Sequence, residues 1–136
     1  MLLDTVTVSE IRRGPKGDSH VWQWQQGLSR ASLSVITLHE ILYGIRNVER
    51  KDPGFAARLT HWYANLVAQP DRYRVIEVKR SVAELAAEFR VTLGMALADS
   101  LIAATARVHR LTLATRNIAD FEGCGIDLVN PWACVA

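Results

Sequence analysis

Only two cysteines, Cys124 and Cys134, occur in the 136 residues of this chain. Neither belongs to a cysteine or histidine pair at zinc-ligand spacing. A disulfide scaffold and a zinc module are therefore excluded, and both thiols are expected to be reduced. Long apolar runs are missing too. Runs such as Met95 to Ala98 and Leu101 to Ala104 fall far short of the roughly 18 residues that span a bilayer, so no membrane segment is expected. Met1-Leu2-Leu3-Asp4 places an acid at position four and has no basic leader. No secretory signal is read there, and the cytoplasm is the expected compartment. Excess charge is lacking as well: 16 basic residues, 13 of them arginine, face 14 acids for a net +2. Any affinity for a polyanion must then come from local clustering.

What is present is an ordinary folding composition, 49% hydrophobic and 22% charged, at a length that predicts one domain over residues 1–136. Turn signals at Gly14-Pro15-Lys16-Gly17-Asp18 and Arg50-Lys51-Asp52-Pro53-Gly54 punctuate it. Met1 to Leu3 reads as a short strand and Thr5 to Arg13 as a helix, followed by a helix over Asp18 to Leu28 capped by Asp18 or Ser19. Leu33 to Ile36 reads as a buried strand. Thr37 and Glu40 then form a capping box that opens a helix through Val48. Helices are predicted over Phe55 to Ala68, over Ser81 to Leu93 with a Ser81–Glu84 box, and over Ala98 to His109. Strands are predicted at Tyr73 to Val78, Leu111 to Ala114 and Leu128-Val129. This alternation of strands and helices predicts an α/β fold with a parallel sheet covered on both faces.

In such a sheet, ligands gather beyond the carboxyl ends of the strands. Four acids are predicted there: Asp4 after the first strand, Glu40 beyond the second, Asp99 opening the apolar helix, and Asp120 beyond Ala114-Thr115. Asp52, Asp71, Glu77, Glu84, Glu88 and Glu122 fall on exposed faces or loops and are set aside. Each of the four has a structural alternative: Asp4 as a helix cap, Glu40 as the box partner of Thr37, Asp99 as an acid favoured by the helix dipole, Asp120 as a turn residue. Two unit charges about 4 Å apart repel by roughly 4 kcal/mol at an effective dielectric of 20. Convergence therefore requires raised pKa values or a cation, and an all-oxygen set suits magnesium or manganese. Such an ion polarises a phosphodiester and activates water, the chemistry of metal-dependent nucleases.

The motifs Leu2-Leu3-Asp4-Thr5 with Ser9-Glu10-Ile11-Arg12-Arg13, Ser34 to Ile45 around Thr37-Leu38-His39-Glu40, and Ala98-Asp99-Ser100-Leu101-Ile102-Ala103-Ala104-Thr105-Ala106 resemble those of the PIN-domain ribonucleases. Leu113-Ala114-Thr115-Arg116-Asn117-Ile118-Ala119-Asp120-Phe121 with Asn130-Pro131-Trp132 completes the pattern. It is most similar to the VapC toxin family, in its FitB-like branch. The resemblance spans nearly the whole chain and implies a three-layer α/β/α PIN-like domain with a short central parallel sheet. It further implies an endoribonuclease toxin using Mg2+ or Mn2+, with Asp4, Glu40, Asp99 and Asp120 as metal and catalytic residues and Thr5, Thr115 and Asn117 as polar support. A VapB/FitA-like antitoxin and a homodimer are implied as partners, with DNA contacted only through the antitoxin.

One position departs from the family pattern: Val6 stands where asparagine usually follows the Asp-Thr pair. Loss of an outer-shell hydrogen bond there would weaken metal binding by roughly 10- to 100-fold, which keeps a catalytically impaired, antitoxin-bound scaffold as the alternative reading. Asp4 to Val8 also loosely resembles the nucleophile motif of haloacid-dehalogenase-like phosphatases, but their second acid is replaced by Val6. Arg12, Arg13 and Lys16 are candidates for RNA phosphates, against the alternative of a solvated helix end. Trp22, Trp24, Trp62 and Trp132 are expected in the core, His39 is given no catalytic role, and Tyr43-Gly44 is expected to allow close packing.

Overall fold

A computed structural model describes residues 1–133. Five parallel strands, β1 (Leu2–Leu3), β2 (Ala31–Ser34), β3 (Tyr73–Ile76), β4 (Leu113–Ala114) and β5 (Leu128–Val129), stand in the order β3-β2-β1-β4-β5. The chain steps outward from β1 through β2 to β3, then returns to the other side of β1. The direction reverses between β1 and β4, and in an open parallel sheet that switch point opens a crevice beyond the strand ends.

Seven helices cover the sheet: α1 (Thr5–Arg12), α2 (Ser19–Gln26), α3 (Val35–Glu49), α4 (Pro53–Val67), α5 (Arg80–Leu93), α6 (Leu97–Val108) and α7 (Ile118–Phe121). Successive strand residues face opposite ways, and the cores follow that rule. Leu2 and Leu113 pack with Val82, Ala86, Phe89 and Ile102 of α5 and α6. Leu3 and Ala114 pack with Val8, Ile41, Ile45 and Ala56 of α1, α3 and α4. A two-residue strand thus divides the molecule into the expected three layers. Among the described residues, no helix is long and apolar enough to cross a membrane.

Two helix starts differ from the sequence expectation. β2 ends at Ser34, whose hydroxyl accepts the Ile36 N–H at 3.0 Å, so Val35 and Ile36 enter α3 and the Thr37–Glu40 box does not form. Thr37 is instead buried inside the first turn, its Oγ1 without a partner among the described residues. Likewise, Lys79 precedes α5 without a side-chain cap, and Glu84 pairs with Arg80 at 2.6 Å rather than boxing with Ser81. Asp52, set aside earlier, caps α4 by accepting the Phe55 N–H at 3.0 Å, with Pro53 in its first turn; β3 ends at Ile76 and β4 begins at Leu113, shorter than expected. Trp24 and Trp62 pack against the second core, whereas Trp22 and Trp132 remain part-exposed.

His109 follows α6, and its Nε2 is buried without a partner among the described residues. Burial, then Lys79 and Arg74, push its pKa below the ordinary histidine range. The folded chain disfavours protonation of this ring, whereas the unfolded chain takes up a proton at about pH 6.5. Its contribution is therefore intact above that pH and is lost as the pH falls toward the depressed folded value. Urea midpoints measured from about pH 7.5 down to about pH 5 should fall less steeply for His109→Gln than for the wild type; parallel slopes would contradict this account.

Candidate metal centre

Asp4 follows β1 directly. Its N–H donates to the Ala114 carbonyl at 3.1 Å, while its Oδ1 caps α1 by accepting the Thr7 N–H at 2.9 Å. Thr7 Oγ1 donates to the same Ala114 carbonyl at 3.0 Å, latching the start of α1 to β4. Asp4 is only 7% exposed, and the capping role is real. It engages one carboxylate oxygen and leaves the other available.

Glu40 lies in the second turn of α3, and its Oε1 accepts the Thr5 hydroxyl at 2.6 Å. Thr5 therefore joins the first and second acids through neighbouring helices. Asp99 sits in the first turn of α6 and Asp120 in α7. Gly94, left-handed at φ 67°, ends α5 and turns the chain into α6 at this edge. The Asp99 carboxyl is raised above the usual carboxylate range, first by burial and then by the charges of Asp120, Glu40 and Asp4.

All four predicted acids thus share one electrostatic neighbourhood. They stand within Coulombic reach rather than ligating reach: among the described residues, no three His, Cys, Asp or Glu side chains already form a metal-holding group. Asp99 and Asp120 line a cleft of about 380 Å3, with Glu122 on its wall. Sequence reasoning had set Glu122 aside, and only its spacing after Asp120 could have signalled it. Glu40 and Thr5 line a separate groove of about 270 Å3 between α1, α3 and α4. Every donor is a carboxylate or hydroxyl oxygen, a set that fits a hard divalent cation and disfavours zinc or copper.

Thr115 is buried; its N–H donates to the Val129 carbonyl at 2.9 Å and its Oγ1 accepts the Asn117 N–H at 3.1 Å, shaping the loop ahead of Asp120. Asn117 itself is exposed. The basic trio does not act together. Arg13 pairs with Glu10 at 3.4 Å, and Lys16 lies in a 3-10 turn. Arg12 reaches over the Phe55 and Trp62 rings at 5.8 and 6.0 Å and lines the groove that also holds Glu40. Val6 is 46% exposed, and the Asp4–Thr7 and Thr5–Glu40 hydrogen bonds form without help from that position. His39 stacks on exposed Tyr43 at 6.4 Å. Gly44 faces open groove with nothing within 4 Å, not the close packing expected.

The family model described as PIN domain matches residues 1–122. The chain is 32% identical to the VapC ribonuclease Y4jK of Sinorhizobium fredii, covering 97% of both. It superposes on the FitAcB crystal structure from Neisseria gonorrhoeae with a TM-score of 0.79 at 31% identity, covering 98% of this chain and 99% of that one. A toxin-antitoxin complex from Klebsiella pneumoniae matches with a TM-score of 0.71 at 25% identity, covering 96% of both chains.

Burial, then the charges of Asp120, Glu40 and Asp4, oppose ionisation of Asp99, so ionising this carboxyl works against the fold. Asp99→Asn removes that opposition, so its thermal midpoint should lie above that of the wild type by calorimetry in metal-free buffer. Thr5→Val releases Glu40, and should weaken Mn2+ binding by roughly 10- to 100-fold in isothermal titration while leaving the helix content by circular dichroism unchanged.

Proposed function

The chain belongs to the PIN-domain family, in the VapC-type toxin-antitoxin group, and we propose that it is a divalent-metal-dependent endoribonuclease, the toxin of such a pair. One observation carries this reading: acids from four separate segments stand within Coulombic reach of one another beside the switch point of the sheet, where Asp99 feels the other three. The reading treats residues 1–136 as a single PIN domain working in the cytoplasm.

Mg2+ or Mn2+ would supply Lewis-acid polarisation of the phosphodiester and ease deprotonation of the attacking water. Asp4, Glu40 and Asp99 would hold the ion, Asp4 and Glu40 each having one carboxylate oxygen outside the hydrogen bonds to Thr7 and Thr5. Exposed Asp120 would orient water or a second ion. Thr115 fixes the loop, and Asn117 offers an amide to the substrate. The half-buried setting of Asp99 lowers the local dielectric, which strengthens every charge interaction in the cleft.

The Klebsiella relative is a toxin-antitoxin complex, and by that likeness the partner here is a small VapB/FitA-like antitoxin that carries the DNA contacts, bound to a homodimer of this chain. The groove beside Glu40 runs along α1, α3 and α4, within reach of a segment that would cover the acids.

Purified chain freed of any partner should cleave RNA on addition of Mg2+ or Mn2+ and stop in EDTA. Asp4→Asn and Asp99→Asn should each lower the rate at least about 100-fold. Asparagine caps a helix nearly as well as aspartate, so Asp4→Asn should stay folded and isolate the loss of charge. No cleavage by folded wild type would favour the impaired scaffold, and equal cleavage by wild type and both variants would refute the assignment.

A further inference from the structure

The nuclease reading leaves a physical problem: RNA is a polyanion, and the centre that would cut it is a cluster of acids. Some cation has to stand at the same edge without being neutralised by those acids. Among the described residues, the segments directly following the five strands contain two cations, Lys79 ahead of α5 and Arg116 in the β4–α7 loop between Thr115 and Asn117, and only Arg116 leads into one of the four acids, Asp120 lying four residues on. Arg116 is exposed and forms no ion pair among the described residues.

An aromatic ring holds it instead. The Arg116 guanidinium carbon lies 5.3 Å from the Trp132 ring centroid, the shortest of the five such contacts. The Trp132 backbone is held in place, because its main-chain N–H donates to Asn130 Oδ1 at 3.0 Å and buried Pro131 precedes it. Both loops are anchored through the sheet, since Thr115 N–H donates to the Val129 carbonyl at 2.9 Å. A ring attracts a guanidinium without accepting its N–H bonds as a carboxylate would, so those donors stay available to grip two oxygens of one phosphate. A carboxylate partner would have consumed those donors.

We propose that Arg116, held over Trp132, is the phosphate anchor of the substrate path: it binds a phosphodiester of single-stranded RNA next to the one presented to the acids. This assignment rests on the nuclease reading for the identity of the polyanion. Arg116 acts on binding, and Trp132 is a positioning residue that acts through it.

The test uses the full chain and a labelled single-stranded RNA oligonucleotide of mixed sequence. Arg116→Ala should raise KM by about 10- to 100-fold, the worth of a charge-assisted hydrogen-bond pair, while kcat changes less than about threefold. Its dependence of log affinity on log salt should flatten by about 0.7, one single-strand phosphate contact. Arg116→Lys should recover only part of the affinity, as a point charge without the fork. Trp132→Leu should raise KM in the same direction, and Trp132→Phe, which restores a ring, should return it toward the wild-type value. Direct binding is measured in parallel in an Asp99→Asn background, where Arg116→Ala should weaken RNA affinity by the same factor. An unchanged KM and salt slope in a cleaving enzyme overturns the anchor, as does a fall in kcat at constant KM. Loss of affinity for an acidic protein partner with RNA binding retained assigns Arg116 to that partner and overturns it too. If wild type does not cleave but the Asp99→Asn pair still differs in RNA binding, the anchor stands and the nuclease reading fails. If neither binds RNA, both fail.

Discussion

Mutual repulsion among carboxylates at one edge of the sheet is the constraint to which the rest of the structure answers. Helix N-termini offset some of it: Asp4 caps α1, Asp99 lies in the first turn of α6 and Asp120 in that of α7. Each such placement is worth about 0.3–1 kcal/mol, against roughly 4 kcal/mol for a single pair of charges about 4 Å apart at an effective dielectric of 20. Drawing the acids together to ligating distance would therefore cost more than the helix termini offset. The effect is already visible at Asp99, whose carboxyl is raised first by burial and then by the other three acids.

The fold tolerates this strain because three of the four acids are tied to something the fold needs anyway. Asp4 N–H completes a bond to β4, and its side chain starts α1. Glu40 is held by Thr5, the first residue of that same helix. Asp99 rides on α6, whose Ile102, Ala103, Ala104 and Ala106 fill the core beneath the sheet. Moving any of these three away would disturb a cap, a helix contact or a core layer. The capping and catalytic readings of Asp4 are therefore not rivals, since one carboxylate has two oxygens and the cap uses one.

The acids and strands were legible in the sequence because they follow from period and order. Leu2-Leu3-Asp4 can only put one leucine on each face and the acid at the end. Helix starts were less legible where two hydroxyls competed. Ser34 and Thr37 both carry capping signals, and the choice fell to Ser34 because β2 pairs with β3 as far as Ser34↔Ile76, so the strand ends there. No local pattern encodes that register. Arg12, Arg13 and Lys16 are adjacent in sequence but diverge in space: Arg13 turns back to Glu10, and Arg12 reaches the α4 rings. Glu122 was missed for the converse reason, as an acid in a loop looks solvated until the loop is seen to fold onto the cleft.

Arginine chemistry reconciles a net charge of only +2 with a polyanionic substrate. Arg46 and Arg80 form ion pairs with glutamates on their own helices, and Arg13, capping α1, pairs with Glu10 of that helix, which cancels their charge as seen from a distance. Arg12 and Arg116 rest on aromatic rings instead. A ring orients a cation through its quadrupole and leaves its full charge in place, whereas a carboxylate orients it by neutralising it. Two positive charges therefore persist along the surfaces bordering Glu40 and Asp120, even though the chain as a whole is nearly neutral. Charge distribution, not net charge, decides what can approach such a cleft, and the tryptophans that looked like core residues in the sequence hold that distribution in place.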